Sequence, residues 1–137
     1  MATKKPTTKK KDTARQLAIA AARLIADDKC DDIIVLDLKD RSPVTDYFVI
    51  ATGTSDRQMR SAATNLANWG KKNDNAPWHV AGIDSADWVV LDFVDVVVHI
   101  FNESHRRYYD LELIWGEAPR VRWQRVTRKK KEEPTEE

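Results

Sequence analysis

The stretch ADWVVLDFVDVVVHIF, from Ala86 to Phe101, constrains the fold more than any other part of the chain. It reads as two strands, Asp87–Asp92 and Asp95–Phe101, joined at Phe93-Val94. A two-residue hairpin at that point would pair Trp88 with His99, Val90 with Val97 and Asp92 with Asp95. Side chains alternate along a strand, so these six share one face. The opposite face is Val89, Leu91, Val96, Val98 and Ile100, wholly aliphatic and therefore core. Two features of the hairpin are physically awkward. Asp92 and Asp95 would be like charges directly across the ladder, a destabilising pair that a cationic partner would relieve. Tight two-residue turns also favour Gly or Asn at positive φ, and Val94 forced there would cost roughly 1–2 kcal/mol.

The polar residues of this face suggest several chemistries. Asp92, Asp95 and His99 are metal-ligand types, but Asp95 and His99 lie four apart on a strand, ~13 Å by rise, so one ion cannot bridge them. A Ser-His-Asp triad on His99 would need Ser85 or Ser104 poised beside it, and no nucleophile-elbow pattern is present. Two readings remain. His99 is a satisfied sheet residue beside Trp88, or the face is a docking surface with an aromatic anchor and a polar rim. The docking reading takes Trp88, Val90, Asp92, Asp95, Val97 and His99 as contact residues, with Ser85, Asp87 and Tyr109 as further interface candidates.

The remaining pattern supplies the frame. Residues 1–11, MATKKPTTKKK, read as a disordered basic tail, followed by a helix capped by Thr13 and Gln16. Ile33–Leu38 and Tyr47–Thr52 are short apolar runs of the kind covered on both sides in a sheet. Gly53 and Thr54 turn the chain into a helix capped by Ser55 and Gln58, with Met59, Ala62, Ala63, Leu66 and Trp69 on one face. Trp78–Ile83 is a weaker strand. Asn102 begins a last helix running through Trp115, with Tyr108, Leu111 and Trp115 as its apolar stripe. The order predicts an α/β (α+β) fold: one mixed five-stranded sheet with helices on its faces. The domain spans 12–116. Residues 117–137 form a charged, mobile tail, in which Val121–Val126 could add an edge strand or clamp a partner.

The Gly53-Thr54-Ser55 turn opens an alternative function. A strand, this turn and a helix start can hold an anion on free N–H groups, as nucleotidyltransferases do. Those enzymes also need two carboxylates at i, i+2 on a strand for magnesium. Only Asp110 and Glu112 have that spacing outside the tail, and the pattern places them on the last helix.

Charge and cysteine content bound the setting. Residues 1–11 carry five Lys and no acid, and residues 117–137 seven Lys or Arg against five Glu. The 12–116 body holds 11 basic and 17 acidic residues, a net charge of −6. An acidic body with basic ends suggests nucleic acid or another polyanion near the tails. Cys30 is the single cysteine, so no internal disulfide forms and a reducing compartment is expected. No apolar run approaches the ~20 residues of a membrane span, and the N-terminus lacks a secretory pattern. The expectation is a cytoplasmic protein without metal or cofactor.

Three blocks, in order, carry a family resemblance: DIIVLDLKDRSPVTDYFVIATGTSDRQMRSAA (Asp32–Ala63), SADWVVLDFVDVVVHIF (Ser85–Phe101) and RRYYDLELIW (Arg106–Trp115). Together, over roughly residues 13–116, they resemble the ribosomal silencing factor family, the Iojap-like proteins. The resemblance implies a nucleotidyltransferase-like fold without the catalytic carboxylates. It implies a non-enzymatic protein that binds large-subunit protein uL14 and blocks joining of the small subunit. Translation is thereby repressed in starvation or stationary phase. Homodimers through an overlapping surface are also implied, and the binding face would include Trp88, Asp92, Asp95, Val97 and His99. The chain departs from the family pattern where Asp92-Phe93-Val94-Asp95 lacks the usual Gly, and where Ala81-Gly82 replaces the common Glu-Gly.

Overall fold

A computed structural model describes residues 6–125, with side chains from residue 13 onward. The elements are α1 (Pro6–Asp27), β1 (Asp31–Asp37), β2 (Tyr47–Thr52), α2 (Asp56–Lys72), β3 (His79–Ala81), β4 (Trp88–Asp92), β5 (Val96–Phe101), α3 (Glu103–Tyr109) and α4 (Leu111–Ile114). The strands form one five-stranded sheet in the order β1-β2-β5-β4-β3. Only β2 and β5 run parallel, and the other neighbours are antiparallel. This is the mixed sheet that the sequence predicts.

Helix α1 begins at Pro6, earlier than the Thr13 cap and inside the segment read as a disordered tail. Proline is well suited to the first helical position, where its missing N–H is not needed, and the Lys and Thr residues that follow contain no breaker. Residues 1–5 of that tail lie outside the described residues. The helix ends without glycine. Lys29 takes the left-handed conformation at φ 73°, and Lys29 and Cys30 donate back to Ala26 and Ile25, as a Schellman cap requires. Helix α2 starts as read, with the Ser55 side chain accepting from the Gln58 N–H. Gln58 also donates to the Asp28 carbonyl at 2.6 Å, tying the start of α2 to the end of α1. Cys30 is buried beside it, and burial pushes its thiol up to about 11, so it is inert as a nucleophile near neutral pH.

Helices α1 and α2 cover one sheet face. Beneath them lie Val35, Val49, Ala51, Val89, Leu91, Val96, Val98 and Ile100. Each fully buried aliphatic side chain of this kind contributes about 1.5–3 kcal/mol. The second face has its own, smaller core of Leu36, Leu38, Ile50, Phe101 and Ala118, covered by Leu111 and Trp115.

The expected last helix is broken. Asp110 sits at φ 44° between α3 and α4, so the periodicity shifts phase there. Leu111 and Trp115 face the sheet as read, but Tyr108 is 80% exposed and leaves the predicted stripe. Arg106 holds the broken corner: its guanidinium grips both Glu112 carboxylate oxygens and donates to Thr52 Oγ1 and the Asp32 carbonyl.

The start of the charged C-terminal tail is also ordered. Residues 119–125 lie along the free edge of β1. Asp37 N–H donates to the Pro119 carbonyl, and Val121 N–H to the Val35 carbonyl. Val121 is buried, and Trp123 Nε1 donates to the Ile33 carbonyl at 3.0 Å. The segment thus serves as a cover for its own sheet edge, a common protection against unwanted strand pairing. Residues 126–137 lie outside the described residues.

Candidate docking face

The face opposite α1 and α2 is only half covered. Over β1 and the Ile50 part of β2 it is covered by Leu111, Trp115 and Ala118. Over β5, β4 and β3 it is open. The open part presents Phe48, Trp88, Val90 and Val97, each half-buried, beside the exposed His79 and Ala81 of β3.

The hairpin that builds this face differs from the predicted one. Trp88 pairs with Phe101, Val90 with His99 and Asp92 with Val97. This is a two-residue shift from the expected register, so every side chain keeps its face while gaining a new neighbour. Trp88, Val90, Asp92, Val97 and His99 therefore do converge. Asp95 does not: it lies in the turn, and Asp92 stands opposite Val97 in place of Asp95. Phe93 N–H donates to the Val96 carbonyl, and Asp95 N–H donates back to the Phe93 carbonyl. The result is a γ-turn centred on Val94, at φ 76°. Asp92 stabilises it, since its Oδ1 accepts from the Val94 N–H at 2.7 Å. Backbone strain is thus retained at Val94, a β-branched residue at positive φ.

Trp88 is the centre of the site. Its ring stacks on Phe101 at 4.9 Å and packs at 4.6 Å against Tyr109, which is 42% exposed. Its Nε1–H donates to His99 Nδ1 at 3.0 Å. That bond fixes the imidazole tautomer, placing the proton on Nε2. Nε2 is buried without a hydrogen-bond partner. Burial pushes the His99 pKa down to about 4, so the ring is neutral near pH 7. Phe48 meets His99 edge-on at 4.5 Å. Gly82 makes the close approach under Trp88 possible: at φ 85°, a Cβ there would collide with the Trp88 carbonyl.

The other predicted contacts divide. Asp87 is committed to the fold, accepting from Asn102 Nδ2 at 2.9 Å and lying 3.9 Å from His105 Nε2. Ser85 is exposed on the approach to β4. Sequence reasoning missed Phe48, which it treated as part of a strand covered on both sides. The parallel pairing of Phe48 with Val97 brings it into the open face, and no local pattern signals that pairing. It also missed the exposed Leu113 and Ile114 on α4, hidden by the assumption of an unbroken helix.

The Gly53-Thr54-Ser55 turn is occupied by its own chain. Gly53 N–H donates to the Phe101 carbonyl, Thr54 N–H to Gln58 Oε1, and Ser55 Oγ caps Gln58. Asp31, Asp56 and Glu103 rim the cleft beside it, an unfavourable setting for a phosphate. Asp110 and Glu112 lie at the α3–α4 corner, off the sheet. Among the described residues, no group of three or more His, Cys, Asp or Glu is placed to hold a metal ion. No described helix is long and apolar enough to cross a membrane.

The family described as "Ribosomal silencing factor during starvation" matches residues 11–137. The chain belongs to the ribosomal silencing factor family. It is 43% identical over 104 residues to the Bacillus subtilis ribosomal silencing factor, covering 75% of this chain and 86% of that protein. It is 32% identical over 120 residues to the chloroplastic Iojap protein of Arabidopsis thaliana, covering 86% of this chain and 50% of that one. A crystal structure from Chromobacterium violaceum superposes with a TM-score of 0.69 at 34% identity, over 77% of this chain and 85% of that one. A Bacillus halodurans structure does so with 0.66, also at 34% identity, over 78% and 94%.

Proposed function

We propose that the chain is a translation repressor that docks on the large ribosomal subunit at protein uL14, in the cytoplasm, and blocks joining of the small subunit. The family description, which names ribosomal silencing during starvation, supports repression under starvation, and we extend it to stationary phase. The observation that carries this reading is Trp88, half-buried and packed against Phe101, Tyr109 and His99 on a partly uncovered sheet face. A rigid aromatic with aliphatic neighbours Val90 and Val97 has the composition of an interface anchor. The acidic body around it suits a basic ribosomal partner and would speed encounter. A homodimer through the same apolar surface, and contacts of the basic tails with ribosomal RNA, belong to this reading.

The test is co-sedimentation with purified large subunits, paired with a subunit-joining assay. Trp88→Ala should weaken binding ~30-fold or more, the expected loss for an aromatic hot spot. Because Trp88 also supports Phe101 and Tyr109, Val97→Lys provides a second variant that leaves the aromatic stack in place. Loss of binding and of anti-joining activity in both, with native circular dichroism, supports the assignment. Unchanged binding in Val97→Lys would show that a different surface docks.

A further inference from the structure

The two edges of the sheet end differently. The β1 edge is closed by residues 119–125, through backbone bonds at Pro119 and Val121 and the Trp123 indole. The β3 edge is open. Among the described residues, no backbone hydrogen bond other than those to β4 involves His79, Val80 or Ala81. Their outward N–H and C=O groups stand unpaired, as at any free edge. Pairing of His79 with Asp92 and of Ala81 with Val90 sets both on the open half-face. Val80 turns to the other side and packs on the main core. The open half-face therefore runs out to an unpaired backbone edge.

Two further features mark this edge. Trp78, at its start, is 77% exposed, whereas Trp69, Trp88, Trp115 and Trp123 all pack against one of the two cores. A large aromatic left in water is informative in a way that a buried one is not. Charge is the second feature. Residues 73–105 build β3, β4 and β5 and hold six acidic residues with no Lys or Arg. Asp92 stands across from His79, and Asp84 lies in the turn after β3. From α2, Lys71 and Lys72 adjoin this stretch in sequence, and the Arg60 guanidinium is engaged by the Ile83 and Asp84 carbonyls.

We propose that the β3 edge is a strand-addition site for an extended, Lys- and Arg-rich segment of the docking partner. The segment lies as a sixth strand ~4.8 Å beyond β3. Main-chain bonds to the free edge supply affinity, and alternate side chains supply specificity. Basic side chains on the open-face side meet Asp92, and the exposed Trp78 ring offers its face to the same cations. Pro77 precedes β3 and Gly82, at φ 85°, follows it. Pairing is therefore confined to a short segment, which makes the edge a poor template for aggregation. Edge to edge, a second copy would bring two acid-only stretches together, which like-charge repulsion disfavours. That the segment belongs to a ribosomal protein rests on the docking reading; the pairing chemistry of the edge does not.

The experiment has two arms, both on the full chain. In the first, a fluorescently labelled, end-blocked peptide of alternating Lys and Val, about eight residues long, is titrated by anisotropy. It should bind at least ~10-fold more tightly than its Glu-Val counterpart. It should also bind at least ~10-fold more tightly than the same peptide N-methylated throughout, which has no N–H to pair. Equal affinity of the methylated peptide would leave charge attraction alone and overturn the proposal, as would no binding of the Lys-Val peptide. In the second arm, hydrogen exchange is measured on the chain bound to large subunits. At least one amide of His79–Ala81 should exchange ~10-fold more slowly or better in the complex. Trp78→Ala, a change at an exposed side chain, should weaken binding ~10-fold with native circular dichroism. Unchanged affinity in Trp78→Ala, or exchange at the free-chain rate in the complex, would overturn strand addition while open-face docking stands. Slowed exchange in the concentrated free chain would assign the edge to a second copy and overturn the proposal. If the peptide pairs and the chain does not bind large subunits, the docking reading fails and the edge site stands.

Discussion

The two faces of this sheet use the same strands under different rules. Toward α1 and α2, β4 and β5 present Val89, Leu91, Val96, Val98 and Ile100, all fully buried and aliphatic. Toward the other side, the alternate residues are Trp88, Val90, Asp92, Val97 and His99, mostly half-buried. The first face is constrained by packing alone. The second must stay ordered without a complete cover, and does so through aromatic stacking and the Trp88–His99 hydrogen bond. A large substitution effect on stability therefore belongs to the first face, and on binding to the second. Ile100→Ala tests this most severely. It should cost about 2–5 kcal/mol in chemical denaturation, because a central strand cannot collapse around the cavity. Val97→Ala, on the same strand but half-exposed, should cost about 1 kcal/mol or less. Equal losses would erase the distinction between the faces.

His99 sharpens the comparison, because it is the buried titratable group on the open side. Its folded pKa is about 4, against 6.5 for the ordinary imidazole, owing to burial. The unfolded chain therefore binds this proton first as pH falls. The stabilisation is complete above pH 6.5 and declines as pH falls through the window toward 4. Between pH 6.5 and about 5 the loss amounts to about 2 kcal/mol. His99→Gln removes the titration and retains an acceptor for Trp88 Nε1, so its stability should be nearly flat over that range. Denaturant midpoints for both proteins across that window provide the check. A parallel decline in the variant would assign the acid sensitivity to carboxylates instead.

Most of the frame was legible because period-two alternation and capping boxes are local signals. The face membership of Trp88, Val90, Asp92, Val97 and His99 survived a register error, since a shift of two preserves parity. What could not be read was non-local. The parallel β2–β5 pairing that brings Phe48 to the site links residues far apart in sequence. The break at Asp110 depends on Arg106 reaching Glu112, Thr52 and Asp32, and no propensity encodes that contact. The strap could be read only as a possible edge strand, because its two inward residues, Val121 and Trp123, stand among arginines and the alternation is weak.

The smallest expected effect lies where the two faces meet, at the turn. Val94 holds φ 76° although a β-branched side chain disfavours it, and the side chain is 54% exposed, so little packing compensates. Val94→Gly removes a strain of roughly 1–2 kcal/mol, while the greater freedom of the unfolded glycine returns roughly 0.5–1 kcal/mol. The balance is a gain of about 1 kcal/mol, or a few degrees in Tm. The Asp92 bond to the residue-94 N–H is unaffected by the change, so the turn should keep its shape. Large-subunit binding should then be unchanged, since no anchor moves. If Val94→Gly instead gains stability and loses binding, Val94 itself contacts the partner, and the docking face extends around the hairpin tip beyond Val97.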